Sequence, residues 1–259
     1  MLFVKNVRAL TELFLYRNAD RVLDCRFGLG RLKLNSYDIL LFAELILHGI
    51  YCYRAGERVI ARFRGGYVSS PSIRRMSFLL ESYEKLYRVF GYAGRVLDVG
   101  GYLGETALLM KKWGATEVVV YEPDHVLAQH ARETLLLNGV KGVVHELFVN
   151  CSCEGKSVSW AEVLKEKFEV AKVDCEGCEE GLLKLADDYI RKVPKWVIEC
   201  HSQQTLRQLG EKFLRAGFVV TFKLYLWQGG YYVMGHERTF QPQVELPEAG
   251  LFIMAARLS

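Results

Sequence analysis

The sequence predicts an α/β fold in which helices cover both faces of a mostly parallel sheet of seven strands. From Arg95 onward, short apolar segments alternate with segments whose apolar residues recur at helical spacing. A strand that is followed by a helix and a further strand returns to the sheet in the same direction, so the sheet is parallel and doubly wound. Glycines at 100, 101 and 104 directly follow the first of these strands and allow a tight turn into a helix.

The remaining elements follow in regular order. Parallel strands are predicted at 96–99, 118–121, 143–148, 168–173 and 196–200, and apolar segments between 218 and 256 complete the sheet. Helices are predicted at 106–113, 124–137, 179–190 and 205–216. Asp124 is a typical N-cap for the second of these helices, and Asn138 with Gly139 is a typical helix end.

The first 84 residues have a different pattern and predict a helical and hairpin extension before a Rossmann-like domain at 85–259. Helices are expected at 7–16, 37–48 and 72–90, and a hairpin is expected from 50–53 and 58–63. Residues 1–80 contain 13 Lys and Arg against 6 Asp and Glu, a net +7, whereas the whole chain has +4. This region is a candidate cap that binds an anionic acceptor, although an ordinary solvated surface is the preferred explanation of the charge.

The composition is that of a soluble globular protein, with 51% hydrophobic and 25% charged residues. The N-terminus does not resemble a signal peptide, so we expect a cytoplasmic protein. No membrane association is expected, because the longest apolar stretch, 39–53, is too short for a span and contains Glu44 and His48. No pattern in the sequence predicts an oligomeric state.

Seven cysteines raise the question of a metal or redox site. Cys175 and Cys178 have the spacing of a zinc or thioredoxin-type pair, and Cys151 with Cys153 could complete a four-cysteine zinc site. Buried, reduced thiols are the expected state in a cytoplasmic protein, although a disulfide between some pair remains an alternative. No metal site is therefore predicted.

The loop after the first predicted strand is the candidate ligand cradle. Ligands of open parallel sheets bind beyond the carboxyl ends of the strands, where the chain direction switches. Asp98 ends the strand, and Gly100, Gly101, Tyr102 and Gly104 form the loop that would approach the ligand. This spacing lacks the first glycine of the G-x-G-x-x-G dinucleotide motif, and no phosphate-binding P-loop occurs elsewhere.

The carboxylates near this loop decide between two cofactors. Asp98 would repel a pyrophosphate, but it suits the ammonium group of a methionine moiety. Glu122, with Pro123 and Asp124 after it, stands at the end of the second strand, where a carboxylate can accept both ribose hydroxyls. These features favour S-adenosyl-L-methionine over a dinucleotide and predict cofactor contacts at all of these positions.

A second motif lies after the fourth strand, at 172–179 (Lys-Val-Asp-Cys-Glu-Gly-Cys-Glu). Together with the loop at 98–104, the Tyr-Glu-Pro-Asp at 121–124, Asn-Gly at 138–139 and Trp-Val-Ile-Glu-Cys-His at 196–201, it resembles the FkbM family of methyltransferases. The resemblance covers about residues 80–220. Glycine replaces the family's usual alanine at 101, and cysteines replace small or apolar residues at 175 and 178.

The resemblance implies a class I methyltransferase that transfers a methyl group to an oxygen of a small molecule or glycan. It makes Lys172, Asp174, Glu176 and His201 candidate catalytic residues that orient or deprotonate the acceptor. The basic N-terminal region supports an alternative, in which the acceptor is RNA or protein. A third hypothesis is a non-catalytic subunit that binds the cofactor, but the retained acidic residues argue against it.

Overall fold

The computed structural model of the chain describes residues 23–27, 30–34, 36–80, 83–150, 156–228, 231–243, 246 and 250–259. The chain divides into two compact units, Met1–Leu80 and Glu81–Ser259. The helix predicted at 7–16 lies outside the described residues.

The described residues of the first unit form two small antiparallel sheets, an α-helix and a 3₁₀ helix. Its elements are β1 (Leu23–Phe27), β2 (Gly30–Leu34), α1 (Ser36–Leu47), β3 (Tyr51–Ala55), β4 (Arg58–Phe63), β5 (Gly66–Ser70) and a 3₁₀ helix (Arg74–Leu80). Strand β1 pairs with β2, and β3, β4 and β5 form a three-stranded sheet in that order. The predicted helix at 37–48 and the predicted hairpin are confirmed, and the hairpin continues into β5.

The second unit carries the large sheet. Its elements are α2 (Tyr83–Tyr87), β6 (Gly94–Val99), α3 (Glu105–Lys112), β7 (Ala115–Tyr121), α4 (His125–Leu137), β8 (Gly142–His145), β9 (Phe148–Asn150), β10 (Ser157–Ser159), α5 (Trp160–Val163), β11 (Val170–Val173), a second 3₁₀ helix (Cys178–Lys184), α6 (Asp187–Arg191), β12 (Lys195–Cys200), α7 (Gln203–Arg215), β13 (Phe218–Gln228), β14 (Tyr231–Thr239) and β15 (Leu251–Leu258).

The large sheet confirms the doubly wound, Rossmann-like fold. Its strand order is β14-β13-β15-β12-β11-β6-β7-β8. Strands β6, β7, β8, β11 and β12 are parallel neighbours, whereas β15 and β14 run against the strands beside them. The sheet has eight strands rather than the predicted seven, because β13 pairs with β14 as an additional antiparallel edge strand.

The central strands have continuous apolar sequences because they are buried. All four residues of β11 are buried, and so are the last four residues of both β6 and β7. Helices that cover both faces of a parallel sheet remove its strands from water. The indoles of Trp160 and Trp196 lie in one of these layers, and their N–H groups donate to the carbonyls of Cys178 and Val193 at 2.9 Å.

Three predicted elements are divided in the structure. The helix expected at 72–90 is a 3₁₀ helix and the short α2, and the strand expected at 143–148 is split between β8 and β9, which pairs with β10. The helix expected at 179–190 ends early because Leu185 takes an extended conformation. Its carbonyl accepts a hydrogen bond from Lys212 Nζ at 2.7 Å instead of a helical N–H. Among the described residues, no helix has both the length and the apolar character of a membrane span.

Candidate functional site

The carboxyl ends of four adjacent strands place the predicted site residues at one edge of the sheet. Val99 is paired with Tyr121 on one side and with Val173 on the other, and Val173 is paired in turn with Ile198. The residues after these strand ends therefore lie together. The chain leaves β6 toward β7 on one side, while β11 lies on the other, which is the switch point where such sheets bind ligands.

The glycine loop is pressed against the neighbouring strands. The N–H groups of Gly100 and Gly101 donate to the carbonyl of Tyr121 at 2.9 and 3.2 Å. A Cβ atom on Gly100 would lie 1.6 Å from the carbonyl oxygen of Asp174, and one on Gly101 would lie 2.0 Å from Val120 Cγ1. A side chain at position 100 would meet the backbone of Asp174, so this glycine is required by the packing of the loop, whereas a side chain at position 101 would force the side chain of Val120 to shift.

Glu122 is buried and holds the loop from the second strand. Its Oε2 accepts a hydrogen bond from the N–H of Tyr102 at 2.9 Å, and its Oε1 accepts one from the N–H of Asp124 at 3.0 Å. Burial raises the pKa of the Glu122 carboxyl, although these two hydrogen bonds partly oppose the increase. Pro123 is exposed. Asp124 caps α4 as predicted, because its side chain accepts from the N–H of Leu127 at 2.9 Å.

Lys172 and Asp98 form an ion pair beneath the loop, where both side chains are inaccessible to solvent. Lys172 Nζ lies 3.2 Å from Asp98 Oδ1 and 3.5 Å from Asp174 Oδ2, and it donates to the carbonyl of Gly100 at 2.8 Å. Thr106 donates to Asp98 Oδ2 at 2.6 Å. Burial would lower the pKa of Lys172, but the surrounding carboxylates raise it above its ordinary value. This arrangement favours a role for Lys172 in holding the loop rather than in contacting an acceptor.

Asp174 lies in a carboxylate pair that the sequence does not predict. Tyr87 Oη is 2.8 Å from Asp174 Oδ2 and 2.7 Å from Glu199 Oε2. A tyrosine has one hydroxyl proton, so it donates to only one of these carboxylates at a time. Burial, followed by the charge of Asp174, raises the pKa of Glu199 to about 7.

His201 is held by acidic residues on two sides. Its Nδ1 lies 2.9 Å from Oε1 of the buried Glu179, and its Nε2 lies 3.3 Å from Oε2 of the exposed Glu176. The hydrogen bond to Glu179 is the main cause that raises the pKa of His201 to about 9. His201 is therefore protonated at neutral pH. A protonated imidazole balances the charge of the neighbouring carboxylates, and it cannot remove a proton from an acceptor.

Cys175 and Cys178 form a disulfide, with 5.5 Å between their Cα atoms. The expectation of reduced thiols is therefore wrong for this pair, and a disulfide sulfur does not serve as a thiolate ligand for zinc. This bond closes the loop that carries Glu176. Cys52 and Cys200 are buried free thiols, while Cys151 and Cys153 lie outside the described residues.

Glu105, at the start of α3, is a buried acid that the sequence analysis does not single out. One of its oxygens faces the hydroxyl of Tyr83 at 3.1 Å, and the other accepts from the N–H of Leu103 at 3.1 Å. Burial raises the pKa of Glu105 to about 7, with a smaller increase from Asp98 that is opposed by Lys172. Because folding favours the protonated form, this residue contributes less stability as the pH rises from its ordinary pKa to about 7.

Replacing Glu105 with glutamine removes this pH dependence. Between pH 5 and pH 8, the wild-type free energy of unfolding should fall by roughly 2–3 kcal/mol relative to that of the variant. An amide can keep its oxygen on the N–H of Leu103 and direct its NH₂ group at Tyr83. Urea unfolding at both pH values measures the difference, and Glu84→Gln at an exposed position of α2 is the control. Parallel pH profiles for the wild type and Glu105→Gln would contradict the burial argument.

The fold and this edge define a Rossmann-like α/β protein with acidic side chains at the carboxyl ends of its central strands. No family model and no curated protein matches the sequence. Solved structures resemble the chain distantly. The ribosomal protein L11 methylase of Lactobacillus delbrueckii subsp. bulgaricus is 15% identical, with 67% of this chain and 75% of that chain covered at a TM-score of 0.42.

Two of the similar structures contain a ligand. M. jannaschii TYW2 in complex with AdoMet is 10% identical, with 80% of this chain and 91% of that chain covered at a TM-score of 0.47. M. capricolum TrmK in complex with S-adenosyl-homocysteine is 7% identical, with 67% of this chain and 66% of that chain covered at a TM-score of 0.43. At this distance, the chemistry of the site has to be argued from the residues of this chain.

Proposed function

We propose that the protein is an S-adenosyl-L-methionine-dependent methyltransferase that methylates a hydroxyl oxygen of a small molecule or glycan. The observation that carries this proposal is Glu122, a buried carboxylate at the end of β7 that is joined to the glycine loop through the N–H of Tyr102. Each of its oxygens accepts one backbone hydrogen bond and retains a lone pair for a ribose hydroxyl.

The charges around the loop suit this cofactor. S-adenosyl-L-methionine carries a positive sulfonium and a positive ammonium group, whereas a dinucleotide carries phosphates. Four carboxylates, Asp174, Glu176, Glu179 and Glu199, surround His201 and the buried Lys172 at the ends of β11 and β12. The excess of negative charge attracts a cationic ligand and disfavours a pyrophosphate.

The residues on the acceptor side support transfer to oxygen. S-adenosyl-L-methionine, when bound, would supply an electrophilic methyl group for transfer to an acceptor oxygen. This chemistry depends on alignment of the reacting atoms. The acceptor hydroxyl must also lose its proton, and the carboxylates of Asp174 and Glu199 are placed to receive it. Glu176 and His201 would orient the acceptor, and Lys172 would hold Asp174 in position.

The resemblance to the FkbM family supports the same conclusion. The family's Glu and His at the end of the fifth strand correspond to Glu199 and His201, which meet Asp174 of the fourth-strand motif. These three residues come from the ends of two neighbouring strands, β11 and β12, and their approach is what a shared catalytic role requires. We therefore propose that the chain is a methyltransferase of FkbM type, with an N-terminal extension at 1–84 that contributes to the choice of acceptor.

Replacement of Glu122 with alanine tests the cofactor site. The variant should bind S-adenosyl-L-methionine at least tenfold more weakly, because the ribose loses its acceptor. Titration calorimetry measures the affinity, and a thermal melt verifies that the variant folds despite the loss of two backbone hydrogen bonds. Glu117→Ala on the same strand is the control, since Glu117 pairs with Arg95 and Lys141 at the opposite end of β7. A folded Glu122→Ala protein with wild-type affinity would refute the ribose assignment.

An RNA acceptor is the second candidate, favoured by one feature of the first unit. Tyr51, Arg62 and Tyr67 are exposed and stand directly opposite one another across β3, β4 and β5. Aromatic rings beside an arginine form a surface on which nucleic acid bases stack. Labelled methyl donor can be offered to a fractionated lysate with the active protein. Label in small molecules or glycans supports the main proposal, and label confined to RNA replaces it.

A further inference from the structure

Three side chains at the acceptor end of the site have the donor atoms and spacing of a metal centre. Asp174, Glu199 and His201 each present one ligand atom, and these atoms all lie within 4.8 Å of one another. Asp174 follows β11, while Glu199 and His201 come from the end of β12. The parallel pairing of Val173 with Ile198 sets the distance between the two strand ends, so the cluster is positioned by the sheet.

The orientation of His201 is an independent observation that points to a ligand. Its Nδ1 contacts Oε1 of Glu179, whose side chain is 1% exposed and also accepts from the N–H of Gly177 at 2.9 Å. A histidine that binds a metal nearly always donates its other ring N–H to a carboxylate or a carbonyl, which fixes the ring. The Nε2 atom lies 3.9 Å from Oε1 of Glu199 and 3.3 Å from Oε2 of Glu176, whose 87% exposed side chain would give up this contact when a metal binds.

Two carboxylates of this cluster share the hydroxyl of Tyr87. Asp174 Oδ2 and Glu199 Oε2 both lie within hydrogen-bonding distance of the same hydroxyl, which has one proton. Lys172 contributes a charge to Asp174 at 3.5 Å, but it is mainly engaged with Asp98 and Gly100. A cation between the two carboxylates would balance the charge that the hydroxyl leaves uncompensated.

We propose that Asp174, Glu199 and His201 bind a divalent transition-metal ion of the Mn²⁺ type, which would displace the Nε2 proton of His201 into solvent. Two carboxylate oxygens and one imidazole nitrogen form a mixed donor set, in which the carboxylates suit Mg²⁺ and Mn²⁺ and the imidazole favours a transition metal. Three protein ligands leave coordination positions open. Only the use of an open position rests on the proposed function: the acceptor's hydroxyl oxygen would bind the metal there, which would favour its ionised form.

Titration of the full chain with MnCl₂ tests this site. Calorimetry and the electron paramagnetic resonance signal of free Mn²⁺ should both show one bound ion per chain. Glu199→Gln and Asp174→Asn should each weaken Mn²⁺ binding at least tenfold, while a thermal melt shows that they fold. The matched control is Glu146→Gln, because Glu146 also pairs with a histidine, His125, at 2.8 Å. That variant should bind Mn²⁺ as the wild type does.

The same samples separate this inference from the proposed function. Absence of Mn²⁺ binding at millimolar concentrations, or equal affinity in the wild type and both carboxylate variants, would overturn the metal site. Intact binding of S-adenosyl-L-methionine in that case would leave the proposed function standing. Mn²⁺ binding that depends on Asp174 and Glu199, in a protein that does not bind S-adenosyl-L-methionine, would support the metal site and refute the proposed cofactor.

Discussion

Replacing Lys172 with methionine is expected to lower the free energy of unfolding by about 3–5 kcal/mol, because it removes the cation that neutralises Asp98 in the interior. Asp98 is inaccessible to solvent, and its pKa is already raised by burial, against the opposing effects of Lys172 and Thr106. Without Lys172, the carboxyl either remains charged at high cost or takes up a proton.

The pH dependence of this loss identifies its cause. In Lys172→Met the pKa of Asp98 rises further, so folding requires a bound proton, and the deficit relative to the wild type should grow from pH 5 to pH 8. Guanidinium unfolding at both pH values measures it. Lys141→Met is the control, because Lys141 pairs with Glu117 at the surface and should leave the stability nearly unchanged. A deficit that does not vary with pH would indicate lost packing rather than an unpaired acid.

Replacing Asp174 with asparagine is expected to reduce the rate of methyl transfer by about 10²–10⁴-fold, which is the usual contribution of a positioned acid or base. The affinity for S-adenosyl-L-methionine should change little, because the proposed ribose partner, Glu122, lies on the other side of β6 and the carboxylates of Glu176, Glu179 and Glu199 remain beside the site. Asparagine keeps the shape of the side chain and can still contact Tyr87. The change therefore removes the charge without opening a cavity.

Single-turnover assays with the acceptor fraction and labelled methyl donor measure this effect, and calorimetry measures the affinity for the donor. Asp188→Asn is the control, since Asp188 is exposed and pairs with Arg191 on α6. A rate within threefold of the wild type would remove Asp174 from the reaction and leave Glu199 as the remaining carboxylate at this position. A parallel loss of donor affinity would assign Asp174 to the cofactor site instead.

The glycine loop, Glu122 and the motif at 172–179 were recognisable in the sequence because each occupies a short segment at a strand end. Parallel strands bring their carboxyl ends to one edge, so correct strand assignments place these segments together. The buried central strands were readable for the same reason, since an apolar run between helical segments has few alternative interpretations. The interruptions of the helices predicted at 72–90 and 179–190 could not be predicted. The spacing of apolar residues does not show where a backbone carbonyl leaves the helical hydrogen-bond pattern and accepts from a side chain instead.

The contacts between the site and residues distant in sequence could not be predicted, because no short sequence motif marks them. Tyr87 precedes Asp174 by 87 positions and Glu199 by 112, and it occupies a position that suits the apolar face of a helix. The pairing of Glu179 with His201 depends on the disulfide-closed loop, and the burial of Glu105 depends on the packing of α2. Side-chain roles of this kind arise from tertiary structure, whereas the sequence motifs identify only the strand ends.

The position of Tyr87 on α2 has a consequence for any exchange of N-terminal segments between related chains. A shortened protein that began at Gly94 would retain all eight strands of the large sheet, and its Rossmann-like core would remain complete by topology. It would nevertheless lack the Tyr87 hydroxyl, which contacts both Asp174 and Glu199. A graft that is intended to change the acceptor should therefore be joined upstream of Tyr83, so that α2 travels with the catalytic domain.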